Sequence, residues 1–147
     1  MQSLKSEQGQ TLVEFALVLP LLLVLVIGIF DFGSAFNHKN DLNFLANTAA
    51  RYAEVNSCAA CNGQKIDVYV ASTADFDPKP TIQICYPKGT SAVGDPLQVT
   101  ATAPFNWLAA NLPGLPKAPT TLKSTVTVRI LQDINGTPDY TVSSCPP

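Results

Sequence analysis

The stretch that most constrains the fold is an apolar run from Phe15 to Phe30, which contains no charged residue. As an α-helix, its sixteen residues would rise by about 24 Å, less than the ~30 Å hydrocarbon core of a bilayer. A helix that begins at Gln10 is long enough to cross, but Glu14 then lies inside the span. A carboxylate in lipid costs from about 3 kcal/mol upward, so Glu14 is a functional-site candidate that needs a partner.

A proteolytic cut between Gly9 and Gln10 would supply that partner. The freed α-amine carries positive charge at neutral pH, and Glu14 is the fifth residue of the chain that it begins. In a packed assembly, the amine of one subunit would neutralise the glutamate of a neighbour. Attraction in a low-dielectric setting would then offset the desolvation of both charges.

The string from Gly9 to Gly33, GQTLVEFALVLPLLLVLVIGIFDFG, resembles the processing site and span of type IV prepilins. It resembles still more closely the TadE-like minor pilins of tight-adherence (Tad) pilus systems. The shared features are a short polar leader ending in Gly, Glu at the fifth mature position followed by Phe, and a Leu/Val-rich span. The similarity is strong over this string and weak over the helix to Ala53 and the late strand near Arg129. One departure is Gln10, where many type IV pilins have Phe.

The resemblance implies cleavage after Gly9 by a prepilin peptidase. It identifies four residues of processing and assembly, which are Gly9, Gln10, Glu14 and Phe15. It further implies a structural protein with no enzymatic activity, no cofactor and no metal site. The implied partners are membrane lipid, the prepilin peptidase, other pilin subunits and the pilus assembly platform. The implied location is the bacterial inner membrane, with a single span and an extracytoplasmic C-terminal domain, or an extracellular pilus that serves adhesion.

The sequence predicts one long helix from about residue 10 to about residue 55, which passes through Pro20. We expect a leader without structure over 1–9, a transmembrane part over 10–32 and an amphipathic extension over 33–56. Apolar residues in the second half recur at spacings of three and four, which predicts one buried helix face. The residues assigned to that face are Phe32, Ala35, Phe36, Lys39, Leu42, Leu45, Ala49, Tyr52 and Ala53.

The remaining residues, 57–147, predict an extracytoplasmic β-rich domain because the apolar period changes from 3.6 to two. Four strands are expected, over 66–70, 82–86, 99–103 and 122–130. A short edge strand over 140–142 and a helical turn over 105–112 are expected as well. The predicted fold class is α+β: an antiparallel sheet of about four strands laid on one long helix, a pilin-like lollipop.

All four cysteines follow the span, on the side where disulfides persist if the leader stays cytoplasmic. They are Cys58, Cys61, Cys85 and Cys145. Four cysteines allow three pairings, and the spacing does not choose between them, although Cys145 is well placed to tie down the C-terminal tail. The CxxC spacing of the first two also occurs in redox sites and zinc sites, but these need a βαβ context or further ligands.

Charges beyond Phe30 are scattered singly, with eight Lys or Arg against nine Asp or Glu. The absence of a basic stripe argues against nucleic acid as a partner. Two other functions remain open from the sequence. One is an uncleaved, single-span anchored extracytoplasmic binding module, and the other is an extracytoplasmic thiol-disulfide enzyme.

Overall fold

The computed structural model describes residues 4–75, 77–108, 120–132 and 137–145. Helix α1 runs from Leu4 to Glu54 and is followed by a short 3-10 turn, Ala59–Cys61, and by helix α2, Ile66–Ser72. Three strands come next: β1 Thr81–Cys85, β2 Pro96–Phe105 and β3 Thr120–Arg129. The predicted α+β class, with a long N-terminal helix and a C-terminal antiparallel sheet, is confirmed.

The sheet is an antiparallel meander with β2 in the centre. Its register places Ile84 opposite Val99, and Val99 in turn opposite Val126. One face of the sheet is covered by helices, since α1 packs on β2 and β3 while α2 packs on β1. Three of the predicted strands are confirmed, although β2 is longer at both ends and β3 begins two residues earlier than predicted.

The core forms between the second half of α1 and the inner face of the sheet. On α1 the buried positions are Leu42, Leu45, Ala46, Ala49, Ala50 and Ala53. On β2 they are Leu97, Val99, Ala101, Ala103 and Phe105. Both surfaces are rich in alanine, whose small side chain lets a helix approach a sheet closely. Apolar and polar residues alternate along β2 because one face of the sheet packs on the helices and the other face points outward.

The prediction of a strand over Ile66–Val70 was wrong, because this segment is α2. The five residues fit both periods: Ile66 and Val70 are four apart and share a helix face, while a strand would also turn Val68 inward. The structure buries Ile66 and Val70 and leaves Val68 54% exposed, which is the helical pattern. The sheet consequently has three strands rather than four.

Two other predictions about the sheet need correction. Residues 140–142 do not form a strand, but Val142 makes an isolated parallel bridge to Ile84 of β1. The helical turn expected over 105–112 is absent as far as the chain is described, because Phe105 ends β2 and Asn106–Leu108 is irregular. The rest of that segment lies outside the described residues.

The leader was expected to lack structure, yet α1 already begins at Leu4. Nothing before Gly9 breaks a helix, and a single glycine costs only about 1 kcal/mol relative to alanine, which a long helix tolerates. The helix also continues through Pro20, as predicted.

The face assigned to the amphipathic extension was partly wrong. Phe32 is 76% exposed and Phe36 is 66% exposed, although both were expected to be buried. The apolar period predicts which side of a helix is apolar but not how far along it the sheet reaches. Among the described residues, full burial of apolar side chains on α1 begins at Leu42, where the helix meets the inner face of the sheet.

Candidate functional site

The apolar run of α1 is almost entirely exposed in the part of the chain that the structure describes. From Gly9 to Phe30 every side chain is exposed except that of Ile27, which is half-buried. Within the described residues, α1 is the one helix long and apolar enough to cross a membrane. An apolar surface of this extent needs lipid or another protein to cover it.

The four residues predicted for processing and assembly lie close together at the start of this segment. The side-chain amide nitrogen of Gln10 donates a hydrogen bond to Oε1 of Glu14 at 3.3 Å, one helical turn away. Both side chains are exposed, and so is the ring of Phe15. The residues lie along a helix and do not line a cavity, so an interaction with another molecule is what they can provide.

Gly9 lies in open space, since a Cβ built on it would meet no atom within 4 Å. Its glycine identity therefore has no packing reason within this chain. That leaves local backbone freedom or recognition by another protein as the physical reasons for a glycine here.

At the end of the apolar run, Asp31 connects α1 to the sheet domain. Its side chain is only 6% exposed, and its Oδ1 accepts the backbone N–H of Leu108 at 2.7 Å. A hydrogen bond to a carboxylate is stronger than one between neutral groups. We did not predict this contact from the sequence, because nothing local in either segment specifies a partner 77 positions away.

Aromatic side chains next to this contact pack between the end of β2 and α1. The indole N–H of Trp107 donates to Oγ1 of Thr120 at 2.8 Å, across the start of β3. The ring of Phe105 stands edge-on to Trp107, with centroids 5.0 Å apart, and edge-on to His38, with centroids 5.2 Å apart. These contacts hold the end of β2 and the start of β3 against α1.

The side of α1 opposite the core carries a second exposed apolar feature. Phe44 is 70% exposed and lines a shallow groove with four neighbouring side chains of α1, which are Asn47, Thr48, Arg51 and Tyr52. Phe36 lies two turns nearer the apolar run and is exposed as well. Phe36 and Phe44 lie on the same helix as the exposed apolar run, so a molecule that packs along that run could also cover them.

The cysteines pair as Cys58 with Cys61 and Cys85 with Cys145. The first bond closes the 3-10 turn between α1 and α2. The CxxC segment therefore does not open an α-helix, which a thioredoxin-like site would require. Among the residues that the structure describes, no cysteine is free and no group of three or more metal-ligating side chains occurs.

The second disulfide holds the C-terminal tail along the outer edge of β1. The backbone N–H of Ser143 donates to the carbonyl of Ile84 at 2.9 Å, two residues before Cys145. Further back, the N–H of Ile66 at the start of α2 donates to the carbonyl of Asp139 at 2.8 Å. The tail thus satisfies backbone groups that a free sheet edge would leave open.

Tyr140 anchors the same tail in the core, where it is 1% exposed. Its hydroxyl and that of Tyr86 are 2.7 Å apart and share a hydrogen bond. Burial raises the pKa of the Tyr140 phenol above its usual value, and the hydrogen bond with Tyr86 adds to that shift. The group therefore stays neutral in the folded protein.

At the opposite end of the domain, a turn between β1 and β2 is held by Asp95. Its carboxylate accepts a hydrogen bond from the Thr90 hydroxyl at 2.6 Å and pairs with Lys88 at 3.4 Å. The Thr90 hydrogen bond, followed by the smaller effect of Lys88, lowers the pKa of Asp95. This cluster organises a turn and does not resemble a catalytic site.

Comparison with known proteins identifies only the N-terminal helix. Residues 9–51 match the family model described as TadE-like protein. No curated protein and no solved structure matches the chain. The resemblance stated from the sequence is therefore confirmed over residues 9–51 of α1. The TadE-like family is a family of pilus components, structural rather than enzymatic.

Proposed function

We propose that this protein is a pilin-like structural subunit of a Tad pilus, inserted in the bacterial inner membrane through residues 10–32 and processed after Gly9. Its mature N-terminal helix would pack against those of other subunits or of the assembly platform. The observation that carries the proposal is the uncovered helix from Gly9 to Phe30, with one carboxylate, Glu14, close to its start.

Cleavage after Gly9 would change the surroundings of Glu14. In the uncut chain, Glu14 lies in the third turn of α1, which begins at Leu4. After the cut it would lie about 6 Å along the helix axis from a new, positively charged N-terminus. The positive end of the helix dipole favours a carboxylate there, and the α-amine of a neighbouring subunit would complete the neutralisation.

The exposed phenylalanines of α1 support assembly through the same helix. Phe36 and Phe44 extend the uncovered apolar surface of the span into the extracytoplasmic part, on the side away from the sheet. A partner helix that lies along the span would cover them too. The polar outer face of the sheet would then remain available for adhesion or for contact with other subunits. Its exposed or half-exposed threonines are Thr81, Thr102, Thr121, Thr125 and Thr127.

The test is the behaviour of Glu14→Ala and of a matched variant, Val13→Ala, in cells that assemble the pilus. Val13 is the adjacent exposed residue and carries no charge. We expect Glu14→Ala to insert in the membrane normally. The amount in sheared filaments should fall at least about tenfold, the factor that ~1.4 kcal/mol already produces. Val13→Ala should assemble normally, and normal assembly of Glu14→Ala would contradict the pairing of charges.

A second function is favoured by one observation. Helix α1 runs without a break through Gly9 and Gln10, so the bond to be cut lies within a helix in the uncut chain. A protein that is never cut there would be a single-span anchored extracytoplasmic binding module. In that case the leader would persist and Glu14 would keep its hydrogen bond from Gln10 as its partner.

A further inference from the structure

We propose that the segment Asn106–Leu108, which connects β2 to the residues before β3, is a second membrane-contacting element that rests on the outer leaflet of the same bilayer. This inference rests on the proposed membrane insertion of α1. Its ligand is the lipid surface, and the residues that contact it are Trp107 and Leu108, beside Phe30.

The position of the bilayer along α1 follows from helix length. The residues from Thr11 to Phe30 form about 30 Å of helix, which equals the thickness of the hydrocarbon core. Phe30 then marks the outer boundary of the core, and Asp31 lies where the headgroup region begins. That region extends over roughly 5–8 Å on each side.

The hydrogen bond between Asp31 and Leu108 places one point of the sheet domain at the same depth in the bilayer as Asp31. Because the N–H of Leu108 is 2.7 Å from Oδ1 of Asp31, the backbone of Leu108 lies at the same depth as Asp31. The side chain of Leu108 is 62% exposed and that of Phe30 is 70% exposed. Both line one shallow surface pocket together with Ser34 and Asn106, so the apolar surface of the span continues onto this segment.

The chemistry of the segment fits the interface between lipid and water. Tryptophan is enriched at this level of membrane proteins because its ring is apolar while its N–H is polar. The N–H of Trp107 is satisfied by Thr120, so the ring can lie in the interface without an unpaired donor. Asp31 meets the cost of lying near lipid by accepting the N–H of Leu108.

The opposite end of the domain lies far from the bilayer. The N–H of Leu131, just after β3, donates to the carbonyl of Glu54 at 3.0 Å. About 35 Å of helix separates Glu54 from Asp31. Val93, in the turn before β2, is 58% exposed and belongs to this far end, because the neighbouring Gly94 bonds to Ile130. The sheet therefore stands with the end of β2 at the membrane and the start of β2 away from it.

Trp107 is the one tryptophan of the chain and serves as the probe. The full-length protein would be reconstituted at one molecule per nanodisc, with phosphatidylcholine brominated near the headgroup or near the terminal methyl. We expect a loss of fluorescence with bromine near the headgroup and a smaller loss with bromine near the methyl end, as for an interfacial ring. Leu108→Asn, at an exposed position, should reduce this quenching. The matched control combines Trp107→Phe with Val93→Trp and should show no quenching.

The outcomes separate this inference from the proposed function. If the protein fails to float with vesicles, membrane insertion itself is wrong. If it floats and Trp107 is not quenched by either lipid, the membrane contact is overturned while the proposed function stands. If Trp107 and the Val93→Trp control are quenched equally, the lipid contact is not specific to this segment and the proposal is overturned. Protection of Trp107 that arises only in assembled filaments would assign the surface to other subunits and would also overturn the proposal.

Discussion

The carboxylate of Asp31 accepts the backbone N–H of Leu108 at 2.7 Å, across 77 positions of sequence. One of these residues directly follows the apolar run and the other follows the central strand. Their contact therefore joins the end of the apolar run of α1 to the sheet domain. The sheet also packs on the second half of the same continuous helix, so this hydrogen bond extends that packing towards the apolar run.

Replacing Asp31 should loosen this connection. Asp31→Ala leaves the Leu108 N–H without its acceptor in a partly buried place, which should cost about 1–3 kcal/mol of unfolding free energy. Asp31→Asn keeps one acceptor oxygen and should cost less. Thermal unfolding in detergent, followed by Trp107 fluorescence, measures both. Asp41→Asn removes an exposed carboxylate of the same helix and should change nothing; an equal loss in this control would refute the role of Asp31.

The two disulfides should contribute unequally to stability. In the chain-entropy model, stabilisation grows with the length of the loop that is closed. The bond from Cys85 to Cys145 spans 60 residues and that from Cys58 to Cys61 spans three. Replacing Cys85 and Cys145 by serine should lower the unfolding free energy by roughly 4 kcal/mol, and replacing Cys58 and Cys61 should lower it by roughly 2 kcal/mol, as measured by denaturant unfolding. A larger loss for the short loop would show that it holds the contact between α1 and α2 by another means.

Tyr140 predicts a loss of stability at alkaline pH. Burial raises its pKa in the folded protein, whereas in the unfolded chain the phenol ionises near pH ~10. The stability from this group is thus complete below about pH 10 and decreases as the pH rises above that value. Tyr140→Phe should lose about 1 kcal/mol at neutral pH with the hydrogen bond to Tyr86, and should weaken the alkaline decrease. Unfolding midpoints at about pH 8 and about pH 11 measure this; Tyr52→Phe is the control and should retain the decrease.

Alanine variants of Phe44 and Leu42 should distinguish an effect on filament assembly from an effect on folding. Phe44 is 70% exposed, so Phe44→Ala should change the unfolding free energy by no more than about 0.5 kcal/mol. It should nevertheless reduce the amount of protein in sheared filaments, because it removes apolar surface from the proposed helix contact. Leu42 is fully buried, and Leu42→Ala should destabilise the domain by about 2–5 kcal/mol. Normal filament content of a stable Phe44→Ala variant would exclude this face from assembly.

The sequence predicted the parts of the fold that repeat a clear period over many residues. The alternation from Leu122 to Ile130 identified β3, and the long apolar run identified α1. Five residues from Ile66 to Val70 were too few to separate a strand from a helix, since Lys65 offered no capping signal. The contact between Asp31 and Leu108 could not be predicted, because nothing local in either segment specifies a partner so distant in sequence.

The residues of the candidate site could be proposed from the sequence because the signals that single them out are local. Glu14 is conspicuous as a charge directly before a long apolar run, and Gly9 as the end of a short polar segment. The disulfide pairing could not be predicted from local signals, because it depends on where the C-terminal tail runs along the edge of β1. Phe32 and Phe36 show the same limit: a period shows that a helix has an apolar side, but only the packed structure shows whether the sheet reaches it.

The measurement that tests the account most directly is the N-terminal sequence and intact mass of the protein, taken from membranes and from sheared filaments. The account predicts a mature chain that begins at Gln10 in both fractions. Gly9→Ala, which meets no atom within 4 Å and so leaves the fold intact, should retain the leader and stay out of filaments. An intact Met1 in the natural protein, confined to membranes, would contradict processing and favour the anchored binding module.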